Sequence, residues 1–194
     1  GWFGFNGGSA LAADANAGMA MTVTHISAAT ASLVWMLIEW FKHGKPTLVG
    51  TATGCIAGLA TITPASGFVG PSGALLIGIL AAILCYYMVG FVKNIMKIDD
   101  TLDVFAVHGI GGLLGTLLLA PLGSISLGGL GHSDLTIFGQ LKVQIIGSIS
   151  VAVWAGLASF IILMVIKRFI GIRVSEEEEE AGLDVSSHSE SAYN

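Results

Sequence analysis

The chain has 194 residues, of which 54% are hydrophobic and only 11% are charged, and its mean hydropathy is +0.82. A typical soluble domain is about 25% charged, so this composition argues against a water-soluble fold. Four stretches of 24, 47, 30 and 24 residues contain no Asp, Glu, Lys or Arg: 15–38, 46–92, 104–133 and 143–166. A membrane-spanning helix needs about 20 apolar residues. We therefore predict an all-α polytopic membrane protein with about five full spans.

In chain order, the full spans are predicted near 15–41, 47–64, 72–97, 101–121 and 137–169. The longest uncharged run holds two of them, because Pro64 and Pro71 mark a turn near its middle. Residues 1–13 are uncharged but too short to span, and we interpret them as the end of a helix that begins earlier. The transmembrane region is expected over 1–173. Seven of the thirteen acidic residues follow Val174, which predicts an acidic solvated tail over 174–194.

Basic residues predict the orientation in the membrane. If the spans alternate in direction, one side holds seven of them: Lys42, Lys45, Lys93, Lys97, Lys167, Arg168 and Arg173. The opposite side holds Lys142 alone. The positive-inside rule then places the tail in the cytoplasm and residues 1–14 outside.

Small residues predict close helix packing. Glycines stand four residues apart in three places: Gly4 and Gly8, Gly54 and Gly58, and Gly111 and Gly115. This spacing puts both glycines on one helix face and lets neighbouring backbones approach. We expect a compact multi-helix body in which any pore is narrow.

His108 is the strongest candidate functional residue, because it is a titratable ring within a predicted span. Asp99 or Asp100 is a suitable N-cap for that helix, and counting from Asp100 places His108 about 12 Å in. Half of the hydrocarbon core is about 15 Å, so the imidazole is expected near the midplane, where such groups mark pathways or proton relays. Three glycines that follow it are expected to leave space beside the ring: Gly109, Gly111 and Gly112.

Two other interpretations of His108 remain open: a hydrogen bond across a helix interface, and a haem or metal ligand. The ligand interpretation would need a second, suitably placed histidine. His25 is flanked by hydroxyl residues that could satisfy it across a helix interface, which favours a structural role. Neither the cysteines nor any other residues show the spacing of a metal site or of an enzyme's catalytic residues, so we expect no enzyme, cofactor or metal, and no nucleic-acid partner.

The first residues form a second candidate site. Phe5 and Ser9 are four residues apart and so share a helix face. An aromatic face and a hydroxyl can together hold a small cation through cation–π attraction and one hydrogen bond. An aromatic belt at the membrane interface explains the same residues equally well.

Several motifs carry a resemblance to a known family. In order they are Gly1-Trp-Phe-Gly-Phe-Asn6 with Gly8-Ser-Ala10, Glu39-Trp40 with Gly44-Lys-Pro46, Ala57-Gly-Leu59 with Thr63-Pro-Ala65, Asp99-Asp100, Asp103-Val-Phe105 with His108-Gly109, and Gly182-Leu-Asp184 with Ser191-Ala-Tyr-Asn194. The chain resembles the ammonium transporter (Amt/Mep/Rh) family along its whole length. The resemblance implies a fold of eleven spans in two inverted five-helix repeats, with one pore per subunit of a homotrimer. This chain would be the end of span six, spans seven to eleven (the second inverted repeat and the last helix) and the cytoplasmic tail.

The resemblance also implies a role for five residues. His108 matches one of two pore histidines that share a hydrogen bond at mid-membrane, and it would relay protons. Phe5 matches a phenylalanine of the outer gate, and Ser9 matches the hydroxyl of the outer ammonium-recruitment site. Trp2 and Val104 match residues that line the hydrophobic pore.

The implied function is transport of ammonium or ammonia, with methylammonium as an analogue, across a lipid bilayer. The expected location is the plasma membrane (the inner membrane of a bacterium), with many passes and a cytoplasmic C-terminus. Bacterial members bind trimeric PII signalling proteins at the cytoplasmic face, so a PII protein is a possible partner. Some relatives act instead as ammonium sensors, and the tail from Ser175 onward would then be the signalling surface.

Overall fold

The structure, a computed structural model, describes residues 1–131 and 136–191, and within them every regular element is a helix. The α-helices are α1 (Trp2–Gly8), α2 (Ala15–His43), α3 (Leu48–Ile62), α4 (Pro71–Gly90), α5 (Ile110–Leu122), α6 (Ile137–Phe169), α7 (Glu176–Ala181) and α8 (Leu183–His188). Short 3₁₀ helices follow α3 and α5, at Thr63–Ala65 and Ile125–Leu127. Two π-helical segments, Phe91–Ile95 and Val104–Gly109, end α4 and begin α5.

Local sequence sets the ends of the long helices. The carboxylate of Asp14 accepts from the backbone N–H groups of Asn16 and Ala17 and so caps α2. That helix ends at Gly44, whose φ of 75° is a left-handed conformation that glycine adopts without steric cost. The hydroxyl of Thr47 caps α3, and a proline occupies the first position of α4, where a missing N–H costs nothing.

The chain divides into two units, 1–148 and 149 onward, and the described core lies in the first. There α2 packs against α3 and α4, and α5 packs against α3. Fully buried side chains include Val23 on α2, Ile62 on α3 and Ile77 on α4. In the second unit, the rest of α6 and the two short tail helices bury no described residue.

Glycines bring the helices together in two of the three predicted places. A Cβ on Gly58 would lie 2.5 Å from the carbonyl oxygen of Ser27, and a Cβ on Gly115 would overlap the carbonyl of Thr61. Gly4 and Gly8 have open space instead. Close backbone approach therefore holds α3 against both α2 and α5.

Within the described residues, five helical stretches are long and apolar enough to cross a membrane: Ala15–His43, Leu48–Ala65, Pro71–Ile95, Val104–Leu122 and Ile137–Phe169. The all-α polytopic fold expected from the sequence is thereby confirmed. The span predicted near 101–121 runs over Val104–Leu122, so its helix begins three residues later than predicted. Residues 101 and 102 form a turn, and Asp103 has a left-handed φ of 56°, which no α-helix accommodates.

Candidate functional site

A buried carboxylate fixes the start of the helix that carries His108. The Oδ2 atom of Asp100 accepts hydrogen bonds of 3.0 Å from the backbone N–H groups of both Phe105 and Ala106. The ammonium group of Lys93 lies 2.6 Å from Oδ1 of Asp103, which ties the end of the α4 segment to the same turn. His108 therefore belongs to a segment that is anchored on its N-terminal side by two aspartates.

The helix that carries His108 begins later than a cap at Asp100 predicts. Asp100 supplies the cap, as expected, but from a turn that precedes the helix. His108 is four residues after Val104, where the helix begins, and eight residues after Asp100. Its segment is π-helical. This form is rare in proteins, and where it occurs it often lies at a functional site.

Trp2, Phe5 and His108 form what we term the aromatic row. The indole of Trp2 stacks on the imidazole of His108, with 6.2 Å between ring centroids and 20° between planes. The ring of Phe5 lies 6.0 Å from Trp2 at an angle of 59°. Helix α1 supplies the first two rings and the π-helical segment before α5 supplies the third, so three of the five predicted site residues lie together.

The face around the aromatic row is apolar and exposed in this chain. Phe5 is 64% exposed, and Val104, one turn before His108 on the same segment, is 56% exposed. Neither side chain contributes to the core. The row thus places one titratable ring among large apolar side chains that are free to contact something else.

Ser9 lies at the end of α1 that is farther from His108. Its hydroxyl donates to the carbonyl oxygen of Phe5 at 2.8 Å, so the hydroxyl oxygen can act only as an acceptor toward a ligand. Ser9 also lines a cavity of about 410 Å³, together with Asn6, Asn16 and Thr63. Ser9 is seven positions after Trp2, which corresponds to about 10 Å along the helix.

Two buried or half-buried hydrogen bonds of α1 were not predicted. The indole Nε1–H of Trp2 donates to the hydroxyl oxygen of Thr63 at 2.8 Å, and the amide of Asn6 donates to Thr24 at 2.9 Å. Their partners are 61 and 18 residues apart in sequence. The proline after Thr63 signals a helix end but nothing about Trp2, so no sequence pattern could have found the first of these bonds.

The hydroxyls around His25 do not bond to it, contrary to expectation. Those of Thr22 and Thr24 donate to carbonyls four residues earlier, and that of Ser27 donates to Gly58 O. Serine and threonine in helices commonly bond backbone carbonyls in this way, which removes them as donors to a neighbouring ring. The His25 ring is exposed and lies 6.0 Å from that of Phe3.

The three glycines after His108 also differ from one another. Of these three glycines, only Gly112 has open space where a Cβ would be. A Cβ on Gly109 would contact Phe105 at 3.3 Å, and one on Gly111 would lie 2.8 Å from the Thr61 hydroxyl. Gly111 therefore serves helix packing and does not provide room beside the imidazole.

Known proteins resemble the chain along its length. The family model described as Ammonium Transporter Family matches residues 1–193. An ammonium transporter of Aquifex aeolicus is 44% identical over 194 residues, covering 100% of this chain and 46% of the relative. Ammonium transporter Amt1 of Archaeoglobus fulgidus is 48% identical over 194 residues, covering 100% of this chain and 49% of the relative. The chain thus spans about half the length of the curated relatives it matches.

Solved structures of other proteins also resemble the chain. One described as a sensor Amt protein matches with a TM-score of 0.87 and 33% identity, covering 96% of this chain and 45% of the other. Mep2 of Candida albicans matches with a TM-score of 0.81 and 36% identity, covering 91% of this chain and 41% of the other. These matches confirm the resemblance seen in the motifs, and the chain belongs to the ammonium transporter family.

Proposed function

We propose that the complete protein conducts ammonium or ammonia across a membrane through a narrow apolar pore, and that the aromatic row lines part of it. The observation that carries the proposal is the stacking of Trp2 on His108 on an exposed apolar face. A polar, titratable ring is costly among apolar groups at membrane depth, and such residues generally serve transport. Membership of the family supports the same substrate.

Phe5 and Ser9 would recruit the cation at the outer mouth. A ring face attracts ammonium electrostatically, by about 0.5–1 kcal/mol at an exposed site. The Ser9 oxygen, whose own proton is donated to Phe5 O, accepts one N–H bond from the ion. Together these groups offset part of the hydration that ammonium loses on entering.

His108 would handle the proton beyond this point. Moving a bare cation through an apolar passage costs several kcal/mol, about the penalty for burying an unpaired ion. Releasing the proton before the passage avoids that cost. A neutral imidazole has one donor and one acceptor nitrogen, so His108 can accept from the substrate and donate to a partner, or the reverse. Val104 and Trp2 would exclude water around it.

The assembly and location follow the family and the charge distribution. We propose a homotrimer with one pore per subunit, in the plasma membrane or bacterial inner membrane. The seven basic residues on one predicted side support a cytoplasmic tail. A PII signalling protein is the proposed regulatory partner at that face.

Uptake of labelled methylammonium by cells that express the complete protein tests the proposal. The His108→Ala variant is expected to lose saturable uptake or its selectivity for ammonium over other cations, because no proton acceptor remains beside Trp2. His25→Ala is the matched control, since His25 is an exposed histidine outside the aromatic row, and it should transport normally. Unchanged rate and selectivity in His108→Ala would refute the proton-handling role.

Sensing is the second candidate function. Two observations favour it: one matched structure is described as a sensor Amt protein, and the acidic tail forms two short helices that bury nothing. A complete protein that reaches the membrane but takes up no methylammonium above empty cells would favour sensing over transport. Deletion of the tail from Ser175 would then abolish signalling without changing ammonium binding.

A further inference from the structure

Thr63 presents a hydroxyl oxygen that can only accept. Its Oγ1–H donates to the carbonyl oxygen of Leu59 at 2.7 Å, and the oxygen accepts the indole N–H of Trp2 at 2.8 Å. A hydroxyl has a single proton, so the bond to Leu59 removes any competition between donor and acceptor roles. The indole therefore meets an acceptor whose orientation is already set.

The backbone around Thr63 is anchored in the core. Thr63 begins the 3₁₀ turn that follows α3, and its neighbours Ile62 and Ala65 are fully buried. Its φ and ψ of −51° and −49° are helical, although the next residue is Pro64 and a residue before proline disfavours that region. The surrounding packing and the bond to Leu59 O hold Thr63 in this conformation.

This anchoring decides how Trp2 faces His108. A half-buried indole N–H without a partner would cost free energy, so the ring turns its N–H edge toward Thr63. With that edge fixed, the indole lies nearly parallel to the imidazole, with 6.2 Å between the ring centroids and 20° between the planes. Indole faces attract cations more strongly than other aromatic rings. The position of this ring therefore affects any positive charge that forms at His108 or passes beside it.

We infer that Thr63 is a positioning residue: through its hydrogen bond to Trp2 it fixes the indole over His108 and so sets the rate of the proton-handling step. This inference rests on the proposed function for its effect on transport, but the hydrogen bond itself can be measured separately. Thr63 lies between the outer cavity, which it also lines, and the aromatic row. It thereby couples the outer end of the site to the histidine.

Four single variants of the complete protein, and the double variants that combine Trp2→Phe with each of the others, test the inference after purification and reconstitution in lipid vesicles. Thr63→Val removes the hydroxyl while keeping the shape, and Thr63→Ser keeps the oxygen. Thr53→Val is the matched control on α3, because Thr53 makes the same bond to a carbonyl four residues earlier but accepts no indole. Trp2→Phe removes the indole donor.

Two readouts are used. The first is the saturable rate and half-saturation concentration for methylammonium. The second is the Raman band of tryptophan that reports indole N–H hydrogen bonding, taken as the difference between each protein and its Trp2→Phe counterpart.

Thr63→Val is expected to lower the maximal rate by about three- to tenfold, the size of one lost hydrogen bond, with less than about a twofold change in half-saturation. Its Trp2 Raman band should shift toward the unbonded position, whereas Thr63→Ser and Thr53→Val should behave as the parent in both readouts. In the Trp2→Phe background, Thr63→Val should have no further effect on rate.

The inference is overturned if Thr63→Val keeps both the parent rate and the parent Raman band, or if its effect is as large without the indole as with it. A parent protein that takes up no methylammonium refutes transport instead. The Raman shift then still decides whether Thr63 fixes the indole.

Discussion

The helix that begins at Val104 has two faces with opposite surroundings. One face presses against α3: Val107 is 2% exposed, and Gly115 leaves no room for a Cβ against the carbonyl of Thr61. The other face carries Val104 and His108, which are exposed, and Gly112, which has open space. A glycine thus brings one face of this helix into contact with the backbone of α3. The opposite face lacks such contact, so His108 on that face is free to meet a substrate.

Alanine substitutions at Gly115 and Gly112, which lie on the packed and the open face, should give the largest difference in stability between the two faces. Gly→Ala in a helix interior gains about 1 kcal/mol from propensity at both positions. At Gly115, however, the new Cβ overlaps backbone that cannot move aside, and overpacking of this kind costs about 1–3 kcal/mol. We expect Gly115→Ala to lower the thermal unfolding midpoint and the amount of protein in the membrane.

Gly112→Ala is the matched control and should leave both quantities unchanged or slightly higher. Thermal unfolding of the complete protein in detergent measures the difference. Equal midpoints for the two variants would mean that the two faces of α5 are packed alike, and the comparison would fail.

Loss of the Asp100 cap at the start of this helix should lower stability by an intermediate amount. Asp100→Ala removes the carboxylate that accepts from Phe105 and Ala106, and losing a helix cap costs about 1 kcal/mol. Hydrogen exchange of those two amides should become faster, and the unfolding midpoint should fall. Asp99→Ala is the control, because the side chain of Asp99 accepts only from exposed Thr101 among the described hydrogen bonds and should change neither.

The smallest expected effect is in the tail, where no described residue is buried, and it concerns the pKa of one carboxyl group. The backbone N–H and hydroxyl of Ser175 donate to the carboxylate of Glu178 and lower the pKa of that group. The pKa is depressed in the folded tail, so this contact supports α7 above the ordinary glutamate pKa and is lost as pH falls through the lowered value. Ser175→Ala leaves only the backbone donor, and the pKa should rise toward the ordinary value.

Carboxyl NMR titration of the complete protein measures that shift. Ser187→Ala, a serine outside the capping box, is the control and should leave the Glu178 titration unchanged. An unshifted titration in Ser175→Ala would show that the hydroxyl contributes nothing to the cap.

The sequence alone was sufficient for the fold class and for the family, and it named the candidate residues, whose roles stay predictions. Long uncharged runs predict spanning helices because a bilayer accepts few other structures, and the part of the chain that the structure describes contains five such helices. The motif that contains Trp2 and Phe5, and the one that contains His108, carried the family resemblance without any coordinates. These signals are local, and each can be read from neighbouring residues.

Tertiary structure decided how those residues meet. Trp2 stacks on His108 across more than 100 positions of sequence, and its N–H is bonded to Thr63, which no periodicity connects to either residue. The start of the fourth span at Val104 also depended on a buried carboxylate and a left-handed Asp103, not on hydropathy. Hydropathy and spacing report which face of one helix avoids water, whereas ring stacking and side-chain hydrogen bonds depend on how close two separate helices come.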